Sequence, residues 1–289
     1  MLRRLMTRPL RLLLVAVAAA ATVVGVVGAA PADTGGKPYL ALGDSVVFGY
    51  ITSDGFAYTN ADNFVGYPDY VGQALRLRTV NAACPGEATG GFIDLTSAND
   101  NGCRAYRAHF PLHVGYQSSQ LDFATSYLRQ HPETRLVTLG VGANDAFIVQ
   151  RACANDPTCI ATHLPGLLQT IGTNIDTIVR ALRATRFHGV IVVANYYSLD
   201  YNDAAGTGLT ALLNNAITGA ATADGALVAD EFTAFAHVAA ARGGGNTCHA
   251  GLLNVSPASQ AACDVHPSQS GQQLLAQTVE KAYWDAVGD

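Results

Sequence analysis

The stretch "ALGDSVVFGY", residues 41–50, sets Ser45 between an acid and two valines, directly after a short apolar run. A serine hydroxyl is a weak nucleophile unless a base removes its proton and donors stabilise the oxyanion that follows. Gly43 and Gly49 on either side permit a sharp backbone course. Taken alone, Ser45 reads first as the cap of a following helix. Eight histidines are candidate bases, and most of them read as surface or loop residues. His266 stands apart, because "CDVHPSQSG" places it just before the last helix, with Pro267 and Ser268 as helix-start chemistry. Asp264 is close enough in sequence to orient its imidazole. "VTLGVGANDA" offers the Asn144 amide as an oxyanion donor, although a Gly-rich turn with a left-handed Asn accounts for it equally. "NAACPGEATGG" supplies Gly86, where a substrate carbonyl would approach the main-chain N–H closely.

These residues act together only if the fold brings them to one edge. Continuous apolar runs at 38–43, 79–83, 135–142, 189–196 and 226–230 read as strands of a parallel sheet covered on both faces. Helices are expected around Tyr67–Arg76, Ser119–Gln130, Ile160–Arg183, Leu209–Ala221 and Ser268–Ala286. In the third of these, apolar residues at 164, 167, 168, 171, 175, 178, 179 and 182 make one buried face. The alternation predicts an α/β fold, a three-layer α/β/α sandwich on a parallel sheet of about five strands. In such sheets the loops after the strands gather at one carboxyl edge. Residues 84–118 and 242–265 break the rhythm and read as long loops stapled by cysteines.

Charge and cysteine usage narrow the setting. The formal net charge of −5 becomes −9 without the four arginines at positions 3, 4, 8 and 11, which opposes binding to nucleic acid or anionic surfaces. Those arginines open a basic, then apolar leader that ends in Ala30-Pro31-Ala32, so residues 1–32 read as a signal peptide. The uncharged run Leu12–Ala32 is long enough to serve instead as a retained anchor. Residues 33–289 then form one domain, secreted and monomeric. Six cysteines in an exported chain suggest three disulfides, and although 15 pairings exist, sequence neighbours are the simplest. That gives Cys84–Cys103, Cys153–Cys159 and Cys248–Cys263. No pair has zinc-site spacing, and no metal or cofactor is expected.

Four blocks in this order resemble the SGNH hydrolases, also called GDSL-type lipases and esterases: "ALGDSVVFG" (41–49), "NAACPGEATG" (81–90), "GVGANDA" (140–146) and "DVHPSQSG" (264–271). The resemblance implies a flavodoxin-like sandwich and ester hydrolysis through a seryl acyl-enzyme. It makes Ser45 the nucleophile, His266 the general base, and the oxyanion hole the N–H groups of Ser45 and Gly86 with the Asn144 amide. Asp44 is then structural, holding the turn. The G-x-S-x-G elbow of other α/β hydrolases is absent. The chain departs from the family where the triad Asp should stand three residues before the histidine, because that position is Cys263. Either Asp264 orients His266 or the Cys263 main-chain carbonyl does. The three-disulfide pattern is similar to that of secreted bacterial lipases and esterases of the family.

The substrate is less constrained. Val46, Val47, Phe48, Tyr50, Phe92, Phe147 and Ile148 either line an acyl groove or form ordinary core. A lipase or lipid esterase is the first expectation, with transient contact at a lipid interface. Carbohydrate acetyl esters, phospholipids and thioesters stand behind it, as does a non-catalytic binding protein that keeps the fold. A membrane-tethered ester hydrolase is the further rival.

Overall fold

The computed structural model describes residues 36–52, 58–256 and 259–288. The leader, its cleavage site and the boundary at residue 33 lie outside the described residues. Five parallel strands, β1 (Pro38–Gly43), β2 (Arg78–Asn81), β3 (Leu136–Gly140), β4 (Val190–Ala194) and β5 (Leu227–Ala229), form a sheet in the order β2-β1-β3-β4-β5. A separate antiparallel hairpin pairs β6 (Leu253–Ser256) with β7 (Ser259–Pro267). The first helices are α1 (Ser45–Phe48), α2 (Tyr67–Leu75), α3 (Thr89–Ile93), α4 (Cys103–His109) and α5 (Gln120–Gln130). They are followed by α6 (Ala143–Ala152), α7 (Pro157–Ala184), α8 (Ala204–Ala223), α9 (Glu231–Gly243) and α10 (Gln269–Val287).

The two-residue period of the strands sorts side chains between two cores. Leu40, Leu42, Val137 and Leu139 point to one face, where α5, α7 and α8 pack. Tyr39, Ala41, Leu136 and Val192 point to the other, under α2, α9 and α10. That is a three-layer α/β/α sandwich. The strand order reverses direction of growth between β1 and β3, and loops on either side of such a switch part to leave a crevice. Ser45 follows β1 and Asn144 follows β3, so both stand at this point.

Several elements were not legible as such. The stretch 84–118 holds α3 and α4, and 242–265 holds most of the β6–β7 hairpin rather than an open loop. The helix around 160–183 begins earlier, at Pro157, capped by the Asp156 side chain on the Cys159 N–H at 2.7 Å. All six cysteines pair with sequence neighbours: Cys84–Cys103, Cys153–Cys159 and Cys248–Cys263. Among the described residues, no helix is long and apolar enough to cross a membrane.

Candidate active site

Strand β1 ends at Gly43, whose φ of 147° suits glycine alone, and a Cβ there would lie 2.1 Å from the Gly140 carbonyl oxygen. The close approach lets the Asp44 N–H donate across to that carbonyl at 3.0 Å. Asp44 then caps α1, its Oδ1 accepting from the Val46 N–H at 2.9 Å. Ser45 is therefore the first residue of the helix and not its cap. Its hydroxyl makes no capping bond. Neither the Ser45 nor the Gly86 main-chain N–H has an acceptor among the described residues.

Two buried glutamines hold this turn from outside it. Gln120 accepts from the Gly43 N–H at 2.6 Å and donates to the Gly43 carbonyl at 3.1 Å. Gln272 donates to the Val46 carbonyl at 3.0 Å and accepts from the Tyr67 N–H at 2.7 Å. Nothing in the sequence distinguishes these amides from surface glutamines. Only their burial in the fold gives them this role.

His266 sits near the end of β7, and its Nε2 lies 3.1 Å from the Ser45 Oγ. The Tyr197 hydroxyl fixes the neighbouring Val265 carbonyl at 2.6 Å, and the Tyr50 ring lies 4.8 Å from the imidazole. Asp264 Oδ1 accepts from the His266 main-chain N–H at 2.7 Å and stands 3.5 Å from Nδ1. Nδ1 makes no hydrogen bond to the Cys263 carbonyl or to any other described group. Burial pushes the Asp264 carboxyl up, but the neighbouring His266 and Thr52 outweigh it and hold it below the usual range.

Asn144 opens the first turn of α6. Its Nδ2 donates to the Glu87 carbonyl at 2.9 Å and reaches 3.4 Å toward Asp44 Oδ2, while its Oδ1 accepts from Asn101. At 3.4 Å the contact with Asp44 is too long to occupy the second amide proton fully. Asp44 Oδ2 is engaged chiefly by the Tyr196 hydroxyl, at 2.6 Å. The loop bearing Gly86 is anchored by the Cys84–Cys103 bridge and by Asp145, which accepts from the Thr89 N–H and hydroxyl at 2.9 and 2.6 Å. Ser45, Gly86, Asn144 and His266 thus line one cleft of about 510 Å³. Gln120, Gln272 and Tyr196 are the supporting residues that the sequence did not announce.

Two carboxyls beneath the site carry large shifts. Burial raises Asp44 to about 6, against the pull of the Tyr196 and Val46 hydrogen bonds and the charge of His266. Burial pushes Glu87 further, to about 8, although Gln120 donates to it. The unfolded chain ionises Glu87 near 4.5, so its contribution to stability is full below that pH and is lost as pH rises through about 8. Glu87→Gln is expected to flatten the fall of the melting midpoint across that window. Parallel midpoint-versus-pH curves for the two proteins would count against the buried, protonated carboxyl.

The apolar expectation divides. Val46, Tyr50 and Phe147 line the cleft, but Val47, Phe48 and Phe92 are fully buried core. Ile148 is also absent from the lining, since a 3.6-residue period sends it off the face shared by Ala143, Ala146, Phe147 and Gln150. The groupings Cys84–Glu87–Cys103 and Cys153–Cys159–His163 each contain a disulfide, so their sulfurs are not thiolate ligands.

The sequence profile of the GDSL-like Lipase/Acylhydrolase family matches residues 41–274. Among curated proteins, none matches the chain in sequence. Several solved structures share its fold. Phospholipase A1 from Streptomyces albidoflavus NA297 is 19% identical, with 86% of this chain and 100% of that one covered and a TM-score of 0.55. LAE5, an α/β hydrolase enzyme from the metagenome of Lake Arreo, Spain, is 16% identical, covering 88% and 98% at a TM-score of 0.53. Axe2, an acetylxylan esterase from Geobacillus stearothermophilus, is 18% identical, covering 86% and 94% at a TM-score of 0.51.

Proposed function

The chain belongs to the GDSL-like lipase/acylhydrolase family, a family of ester hydrolases, and on that premise we propose that it is a secreted serine hydrolase of lipid acyl esters. The observation that carries the reading is the 3.1 Å contact between His266 Nε2 and Ser45 Oγ, set in a mostly apolar cleft. His266 takes the hydroxyl proton as Ser45 Oγ attacks the ester carbonyl carbon. The resulting oxyanion meets the N–H groups of Ser45 and Gly86 and the second amide proton of Asn144. As the tetrahedral intermediate collapses, the imidazolium protonates the departing alkoxide and leaves an acyl-Ser45. Water, deprotonated by the same imidazole, then releases the acid. No step requires a metal or an organic cofactor.

Three features support the finer parts of this reading. The cleft's apolar walls suit an acyl chain better than an acetylated sugar, which would ask for more hydrogen-bonding partners. Phospholipids and thioesters would pass through the same chemistry. Three disulfides, a basic-then-apolar leader and the lack of a membrane-spanning helix among the described residues favour secretion. The acidic body disfavours polyanionic partners, and the enzyme acts as a monomer on small-molecule or lipid esters.

An alkyl fluorophosphonate tests the assignment directly. Ser45 Oγ is expected to displace fluoride and retain one phosphonyl group, found by mass spectrometry on the peptide containing residue 45. An adduct on another residue, or none, would sink the proposal.

A further inference from the structure

The cleft has a direction, and its far end is built differently from its near end. Along α6 the lining begins at Ala143 and Asn144 beside Ser45 and ends at Gln150. The stretch from Asn144 to Gln150 spans about 9 Å at the usual helical rise. At the Gly142 end α7 and α8 close over the start of α6: a Cβ on Gly142 would lie 3.2 Å from Ile217 of α8 and 3.6 Å from Ile171 of α7. Moving away from Gly142, α7 lines the cleft with Leu168, Leu164 and then Ile160, and α8 with Leu213 and then Leu209. The three helices therefore bound an apolar trough that leads from the nucleophile to the corner joining α6 to α7.

That corner is held rigidly. Cys153 and Cys159 are bridged across it. Between them Ala154 and Asn155 both take positive φ, 48° and 62°, a conformation asparagine tolerates but alanine keeps only when its surroundings impose it. A bridge of sequence separation 6, the shortest of the three, restrains the unfolded chain least. Its consequence is local. It fixes the first turn of α7, where Ile160 lies one residue beyond Cys159 and faces the cleft.

The geometry points to a measuring role: the trough between α6, α7 and α8 takes the acyl chain, and the Cys153–Cys159 corner sets the length at which it stops. This deepens the ester-hydrolase reading and rests on it. The chemistry at Ser45 is indifferent to chain length, while each methylene that enters the trough removes apolar surface from water. A chain longer than the trough must bend or leave its end exposed. Discrimination by chain length is then a property of the corner and not of the catalytic groups.

The test is a series of p-nitrophenyl esters from acetate to palmitate, hydrolysed by the full protein and three variants. The wild type is expected to give kcat/KM rising to a chain that fills the trough and falling beyond it. Cys153→Ala/Cys159→Ala frees the corner without touching the lining, and should raise the palmitate-to-acetate ratio by about tenfold, the scale of one misfit methylene. Acetate hydrolysis should stay within about twofold of wild type, the corner being remote from Ser45. Leu164→Trp fills the trough with the bridge intact, and should move the optimum to shorter chains. This second variant keeps the test decisive if loss of the bridge prevents folding. An unmoved chain-length profile in Leu164→Trp, or in a folded double-cysteine variant, would overturn the measuring role. Acetate turnover falling by less than about tenfold in a folded Ser45→Ala would instead overturn the underlying reading, whatever the profiles.

Discussion

Replacing Ser45 with alanine is expected to lower kcat for a p-nitrophenyl ester by on the order of 10⁵–10⁶, the scale of removing a seryl nucleophile that works as a unit with its base. KM should change little, because the cleft walls that hold the substrate are untouched. The loss should not reach the uncatalysed rate. Gly86 and Asn144 would still stabilise an oxyanion formed by direct attack of water, leaving a residual acceleration of about 10³–10⁴. The substitution is structurally mild: Asp44 rather than Ser45 caps α1, and Gln272 and Asn81 hold the Val46 and Val47 carbonyls. A melting midpoint within a few degrees of wild type should therefore accompany the kinetic loss. A reduction of less than about tenfold, with the fold intact, would remove Ser45 from the chemistry.

How much of this site could be read from the residues depended on what each one needed locally. Gly43 was legible because a strand that ends in a tight turn needs a glycine there, whereas Ser45 read locally as a helix cap and was singled out only by the family resemblance. The five strands were legible because a parallel sheet buried on both faces leaves unbroken apolar runs. The β6–β7 hairpin was not, since "NVSPASQAACDVHP" lacks clean alternation and its register shifts between Leu253 and Ser256. The stripe on α7 shows the limit most clearly. Ile171, Ile175, Ile178, Val179 and Leu182 are buried against the sheet as the period predicts. Leu164, Leu167 and Leu168 continue the same period but face the cleft. Periodicity reports that a face is apolar, and only the spacing of neighbouring helices decides whether protein or ligand covers it.

The same limit governs what holds His266 in place. The sequence left two orienting groups, the Asp264 carboxylate and the Cys263 carbonyl. The geometry favours the carboxylate, with Oδ1 at 3.5 Å from Nδ1, over a carbonyl that makes no hydrogen bond to it. Oδ1 is already drawn to the His266 main-chain N–H at 2.7 Å, and Oδ2 is buried without a partner. A small rotation of the carboxylate would bring an oxygen within hydrogen-bond reach, and such contacts tighten when substrate binds. Asp264→Asn is the discriminating change, because the amide oxygen can still accept from the main-chain N–H and preserve the turn. If the carboxylate orients the ring and stabilises the imidazolium, kcat should fall by about 10³–10⁴ with KM nearly constant. The lowered Asp264 carboxyl also ties stability to pH in a definite direction. Because Asp264 is held below its ordinary value of 3.8, its contribution is present above that pH and is lost as pH falls through the lower folded value. Alongside the fall in kcat, Asp264→Asn should remove that acid-side loss. A kcat within about tenfold of wild type would remove Asp264 from the orienting role and leave the Cys263 carbonyl as its alternative.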